Sequence, residues 1–200
     1  MLGAGAIYQI PEDRFVCDPF AIPAWWPKAY GMDVGWNRTA AVWGAWDRES
    51  DTVYLWSEHY VGQAPPQVHA DAIKSRAPWI QGAIDPASAG SGQIDGRKLM
   101  DQYRELDLIL HPAANAVEAG ILAVQRRLES GRLKVFRTLG NWLSEYRLYR
   151  RDENGKVVKE MDHLMDATRY LVMSGMALAT VAPRGEFDDE RRGVSSVSGY

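Results

Sequence analysis

Asp162-His-Leu-Met-Asp-Ala-Thr-Arg-Tyr170 sets one acid, Asp166, among Leu164, Met165, Ala167 and Tyr170, in a segment expected to be one helix over residues 161–179. A carboxylate in such surroundings is costly unless it is exposed or coordinated, so Asp166 is a candidate metal ligand. Asp162 lies four residues earlier on the same helical face. It is a possible accessory ligand or, at the helix start, a charge that suits the helix dipole. His163 faces elsewhere and is expected to pack or hydrogen-bond. Arg169 either neutralises the acids or pairs on the surface. Just upstream, Arg150–Lys159 is expected to be a hairpin around Asn154-Gly155, a dipeptide that readily takes the positive φ angles of a type I′ turn.

Two more segments end on an aspartate: Tyr30-Gly-Met-Asp33-Val-Gly-Trp36 and Gly82-Ala-Ile-Asp85-Pro86. Asp33 follows an apolar strand; Asp85 closes another, with a turn or helix-cap role as the alternative. Three carboxylates from three segments form the oxygen-rich donor set that hard divalent cations prefer. A pair of such cations can stabilise both the attacking and the leaving oxygen of an in-line displacement. Without metal, close carboxylates raise one another's proton affinity.

The intervening sequence gives strands at Tyr30–Asp33, Thr39–Trp46 and Thr52–Val61, the last two joined by the turn Asp47–Asp51. Pro65-Pro66 opens a helix to about Arg76, and Trp79–Ile84 is a strand. A helix from about Arg97 to Leu106 and a strand at Leu108–His111 follow. Asn115 is expected to cap a helix running through Leu128, with Gly131 ending it. Leu133–Phe136 is a strand and Leu139–Tyr149 a helix. Residues 1–29, with Pro11, Pro19, Pro23, Pro27 and the pair Trp25-Trp26, are expected to be an extended lead-in from an upstream domain. Residues 30–182 are the expected folded domain and 183–200 a flexible tail. Gly90–Gly96 is expected to be a rim over the site, since it lacks the Lys-Ser/Thr of a phosphate-binding loop.

Three antiparallel strands, then alternating helices and strands, then a closing helix that carries an acid, is the layout of an α/β ribonuclease H-like fold: a mixed β-sheet flanked by helices. The chain goes further. Tyr30-Gly-Met-Asp-Val-Gly-Trp36, Ile84-Asp-Pro-Ala-Ser88, and the run from Tyr146 through Glu153-Asn-Gly155 to Asp162–Tyr170 together resemble the C-terminal nuclease domain of tailed-bacteriophage terminase large subunits. The likeness spans about residues 30–182, and the third stretch is its most specific part.

That resemblance implies a metal-dependent endonuclease that cleaves concatemeric double-stranded DNA with low sequence specificity. Asp33, Asp85 and Asp166 would be both catalytic and metal-binding, with Mg²⁺ or Mn²⁺ at a two-metal site. It also implies an N-terminal packaging ATPase domain in the same protein, contacts with the procapsid portal and the small terminase subunit, and the host cytoplasm as the place of action. No Gly-x-x-x-x-Gly-Lys-Ser/Thr loop is present, so the chain is expected to be the nuclease part alone. Another ribonuclease H-like nuclease, such as a junction resolvase, and a docking module of the motor with weak cleavage are the alternatives. Preference for duplex over branched DNA would separate the first; metal-independent partner binding without cleavage would mark the second.

Composition is consistent with one sizeable core: 200 residues, 46% hydrophobic. A single cysteine, Cys17, excludes an internal disulfide and a Cys-based zinc site, and no apolar run approaches a membrane span. The net charge of −3 argues against a uniformly basic nucleic-acid binder. The charge is uneven, however, with a basic block over residues 121–160 that includes Arg126, Arg127, Arg132, Lys134, Arg137 and Arg147. Arg150, Arg151, Lys156 and Lys159, on the hairpin, are the candidate DNA-binding residues, positioning the backbone without reading bases.

Overall fold

Alternate residues of the strand that carries Asp33 enter different cores, and this places the acid. The computed structural model describes residues 4–89 and 98–183. Its strands are β1 (Gly5–Ala6), β2 (Val16–Cys17), β3 (Lys28–Asp33), β4 (Thr39–Asp47), β5 (Thr52–Val61), β6 (Gln81–Ile84), β7 (Leu110–Pro112), β8 (Leu133–Phe136) and β9 (Arg150–Arg151). Its main helices are α1 (Pro66–Lys74), α2 (Leu99–Glu105), α3 (Val117–Glu129), α4 (Gly140–Leu148) and α5 (His163–Tyr170), the last continuing through a π turn, Leu171–Gly175, to Met176–Leu178.

Seven strands form one mixed sheet in the order β2-β8-β5-β4-β3-β6-β7. β3, β4 and β5 pair antiparallel, while β6 and β7 beyond β3, and β8 and β2 beyond β5, add in parallel. This is the ribonuclease H-like α/β architecture expected from the order of elements. Both faces are covered, so the central strands are buried almost throughout. Tyr30, Met32, Ala41 and Trp43 point into a core shared with Ile73 of α1 and with Met100 and Tyr103 of α2. Ala29, Ala40 and Val42 face the other way, into a core built with Val124, Trp142, Leu164 and Ala167 from α3, α4 and α5. Period-two alternation along β3 then puts Gly31 and Asp33 on the face that α5 covers.

Gly31 sets how closely that helix lies. A Cβ there would stand 1.9 Å from the Ala167 carbonyl oxygen and 2.8 Å from the Leu171 nitrogen. The requirement is for space, not for an unusual φ. The π turn that interrupts the last helix begins at Leu171, over this contact. π turns add a residue to a helix and recur at functional sites.

Four expectations are revised. The first 29 residues are extended, as their prolines imply, but they are docked: β1 pairs with β9, β2 forms the edge of the main sheet beside β8, and Tyr8 and Phe15 are buried. Tyr8 stacks on Tyr146 with centroids 5.9 Å apart, and Phe15 meets Trp142 edge-on at 5.9 Å. Aromatic burial of this size outweighs the absence of periodicity. Asn115 does not cap α3, which starts at Val117 with no side-chain cap bond. The Asn154-Gly155 hairpin is not type I′, because only Gly155 has positive φ, at 77°. Instead Gly155 N–H bonds the Asp152 carbonyl at 3.0 Å, and Asp152 Oδ1 accepts the N–H groups of Asn154 and Lys156 at 2.9 Å each. An aspartate that can satisfy two donors favours this wider turn over the two-residue one. Finally, the closing helix starts at His163, with Met161 in the left-handed region at φ 55°. Gly90–Gly96 and residues 184–200 lie outside the described residues.

Candidate active site

The three acids arrive by three routes. Asp33 is the last residue of β3, and Asp85 follows β6 on the neighbouring strand, its N–H bonded to the Met32 carbonyl at 2.9 Å. Parallel pairing of β3 and β6 therefore brings both to the same end of the sheet. Asp166 comes down onto that end from α5, which Gly31 admits. Tyr170, one turn further along α5, is buried as well. Its hydroxyl pKa is pushed up first by burial and then by the charges of Asp85, Asp166 and Asp33.

Each acid is held differently. Asp33 is largely buried, and its carboxyl pKa is raised by burial and by the nearby charges of Asp166 and Asp85, against the opposing hydrogen bond from His163. His163 Nδ1 lies 2.9 Å from Asp33 Oδ2. An ionised carboxylate only accepts, so Nδ1 carries the proton, and the bond raises the imidazole pKa. Asp85 Oδ1 accepts the Ala87 N–H at 2.9 Å, so this aspartate also shapes its own turn. Asp166 has both oxygens engaged: Arg169 donates Nε and Nη2 to Oδ1 at 3.1 and 2.7 Å, and Lys159 Nζ lies 2.8 Å from Oδ2. Lys159 also reaches Asp162 Oδ2 at 3.0 Å. Asp162, just ahead of the helix, is buried too and shares Lys159 with Asp166.

The N-terminus of α5 has no cap from its own sequence. Glu145 of α4, fully buried, supplies it: Oε2 accepts the N–H of Leu164 at 2.5 Å and of Met165 at 3.4 Å. A carboxylate at a helix N-terminus satisfies orphan donors and meets the positive end of the dipole. Sequence reasoning missed Glu145, because its partners lie about twenty residues away in chain. Tyr170 stood within the quoted motif without a role assigned to it.

The basic candidates separate. Arg150 and Lys156 are exposed on the hairpin, Arg150 within 3.7 Å of Glu160. Arg151 is buried with its guanidinium on Glu118, at 2.9 and 2.7 Å, and on the Gly155 carbonyl, so it fixes the hairpin to α3 and is not presented to solvent. Lys159 is committed to the acids. Most of the remaining basic block is paired too: Arg127 and Arg132 with Asp51, Arg137 with Asp18, Arg147 with Glu12.

Chemically, the centre is a set of carboxylates whose mutual repulsion is relieved by cations. Among the described residues no three acid, histidine or cysteine groups form a ready metal cage. The donors nonetheless suit a hard divalent ion: Asp33 Oδ1 takes no hydrogen bond from the described groups, Asp85 lies beside it, and Asp166 Oδ2 faces an ammonium where a metal charge could stand.

The terminase RNaseH-like domain family matches residues 30–174. The large terminase subunit of Salmonella phage P22 is 36% identical over 184 residues, which is 84% of this chain and 36% of that protein; the chain thus spans a little over a third of the curated relatives it matches. The structure of the P22 large terminase nuclease domain superposes with a TM-score of 0.82 at 33% identity, over 90% of this chain and 97% of that one. The nuclease domain of the phage SPP1 large terminase, crystallised with bound Mn, shares the fold at a TM-score of 0.57 and 17% identity, covering 80% of this chain and 96% of that one. By sequence along most of its length, and by the architecture that carries the acids, this chain belongs to the terminase RNaseH-like domain family, the nuclease domains of bacteriophage large terminase subunits.

Proposed function

We propose that the domain is a divalent-metal-dependent endonuclease that cuts concatemeric double-stranded DNA, with little sequence preference, during viral genome packaging in the host cytoplasm. The observation that supports this is the approach of three carboxylates to one end of the sheet: Asp33 and Asp85 close the paired strands β3 and β6, and α5, which carries Asp166, lies on β3 at Gly31. Two Mg²⁺ or Mn²⁺ ions are the expected complement; the Mn in the SPP1 domain supports that choice of ion. When bound, such ions supply Lewis-acid stabilisation of charge on phosphate oxygens and activation of a water.

The chain's own residues prepare the centre for that role. Asp33, Asp85 and Asp166 are the ligands. His163 holds the proton at Nδ1 and fixes one oxygen of Asp33, leaving Oδ1 for a cation. Arg169 orients Asp166 through two bonds to one oxygen, and Tyr170 closes the centre from the helix side. Glu145 fixes the start of the helix that carries Asp166. Arg150 and Lys156, exposed on the adjoining hairpin, contact the DNA backbone. The remaining length of the large subunit supplies the packaging ATPase and the contacts with portal and small subunit.

The test is incubation of supercoiled plasmid with the domain in Mg²⁺, in Mn²⁺ or in EDTA, beside Asp33→Ala. Metal-dependent nicking and linearisation that the variant lacks is the expected result. Cleavage retained by a folded Asp33→Ala would reject the assignment.

A further inference from the structure

Two cations sit on Asp166, and the protein holds them in opposite ways. Arg169 is 1% exposed. Its stem packs against Gly120 of α3, where an added Cβ would stand 3.2 Å from Arg169 Cδ. It cannot leave Asp166 without parting α3 from α5. Lys159 reaches the other oxygen from the solvent side: its side chain is 59% exposed, although its ammonium is 2.8 Å from Asp166 Oδ2 and 3.0 Å from Asp162 Oδ2. It stands between the hairpin and α5, in a segment outside any helix or strand that turns at Met161 through a left-handed φ of 55°. A bulky side chain in that region is strained and persists only where surrounding contacts hold it.

The chemistry of the two side chains matches their settings. A guanidinium forms a rigid fork suited to a permanent, buried pair. An ammonium is a compact, strongly hydrated point charge on a flexible stem, and it exchanges partners readily. A divalent cation and an ammonium on the same carboxylate oxygen repel one another strongly at these separations.

We propose that Lys159 is a displaceable internal counter-ion, holding Asp162 and Asp166 when no divalent cation is bound and withdrawing from them when one enters. The inference rests on the reading that Asp33, Asp85 and Asp166 bind divalent metal. It has a reciprocal consequence, because coupling between two ligands is symmetric. A DNA phosphate that draws the Lys159 ammonium outward frees Asp166 Oδ2, so DNA favours metal uptake and metal favours DNA. Lys159 thus has two partners in turn, first the acids and then the backbone.

The experiment is titration of the metal-free domain with Mn²⁺ alone, by calorimetry and by water-proton relaxation, for wild type, Lys159→Met, Lys159→Gln and Lys156→Met. Lys156→Met removes the same charge from an exposed position three residues away and controls for long-range electrostatics. The expected result is Mn²⁺ bound five- to tenfold more tightly by both Lys159 variants and within twofold of wild type by Lys156→Met. In EDTA the Lys159 variants should melt below wild type, and saturating Mn²⁺ should close that gap. Lys159 variants that bind Mn²⁺ no more tightly than Lys156→Met, or more weakly than wild type, overturn the inference and leave the metal reading standing. Absence of Mn²⁺ binding by wild type and by folded Lys159 variants overturns both. Lys159→Gln keeps a hydrogen-bond donor without the charge, so it reports even if Lys159→Met does not fold.

Discussion

Gly31 and Ala167 lie so close that no side chain fits between strand and helix: a Cβ on Gly31 would stand 1.9 Å from the Ala167 carbonyl oxygen. That contact sets how near Asp166, one residue before Ala167, comes to Asp33, two residues beyond Gly31. Because the opposing atoms are backbone, no rotamer change relieves the clash. Gly31→Ala should cost about 3 kcal/mol or more, a mechanism of severe destabilisation by overpacking, which for a domain of this size lowers the melting temperature by roughly 10 °C. Gly140 is the control. An added Cβ there meets nothing within 4 Å, so Gly140→Ala, at the start of α4, should be neutral or stabilising by up to ~1 kcal/mol. Thermal melts of the two variants decide; equal effects would refute the packing argument.

Glu145 gives a second stability test. Ala at this position removes the acceptor for the Leu164 and Met165 N–H groups in a fully buried setting, at a cost of about 1–3 kcal/mol. Gln keeps an acceptor oxygen and should cost less. Cleavage should fall with stability in the same order, Ala more than Gln, because the capped helix presents Asp166. Loss of activity in Glu145→Gln without loss of stability would mean that Glu145 takes part in the chemistry itself.

Asp33→Asn tests whether the centre trades stability for function. Burial and neighbouring acids raise the Asp33 carboxyl pKa, so its ionised form is disfavoured in the folded, metal-free protein. The neutral amide should therefore leave the melting temperature in EDTA at or above that of wild type, while metal-dependent cleavage drops at least ~100-fold, as loss of a ligand at the reacting centre implies. A marked drop in stability on this substitution would assign Asp33 a structural role.

How far this was legible from sequence depends on whether the signal is local. β5, Thr52–Val61, has the bounds its alternation gave, and β8 likewise. Asp33, Asp85 and Asp166 could be singled out as candidates because each closes an apolar strand or interrupts an apolar helix face, and both are features of a few neighbouring residues. What was invisible depends on distant partners. The basic block 121–160 suggested a phosphate-facing surface, yet Arg127, Arg147 and Arg151 are neutralised by Asp51, Glu12 and Glu118, acids 76, 135 and 33 residues away. Tyr8 and Phe15 looked like part of a linker because a two-residue edge strand has no periodicity to read. The hairpin turn was misjudged for a local reason: Asp152, two residues before Asn154, offers an acceptor that stabilises the competing turn.

The last prediction concerns acid stability and lies away from the centre. His59 of β5 and His69 of α1 are both buried, with His59 Nε2 2.8 Å from His69 Nδ1, and His69 Nε2 is 3.2 Å from the Ala64 carbonyl. A carbonyl only accepts, so His69 carries its proton on Nε2. Its Nδ1 must then accept from the His59 Nε2–H, which requires the His69 ring to be neutral. Burial first, then His69 and Arg76, push the His59 pKa down to about 4. The unfolded chain takes up a proton near the ordinary pKa of about 6.5, so between these values the unfolded state binds more protons than the folded one. The stability contributed by this pair is fully present above pH 6.5 and is lost as pH falls towards 4, by about 2 kcal/mol at pH 5. Asp33 and Glu145, whose carboxyl pKa values are raised by burial, act in the opposite direction, which makes the difference between variants the informative quantity. Urea unfolding at pH 7 and pH 5 should show wild type losing more stability on acidification than His59→Leu, although the variant starts from a lower value. Equal losses would show that the pair titrates as it does in the unfolded chain.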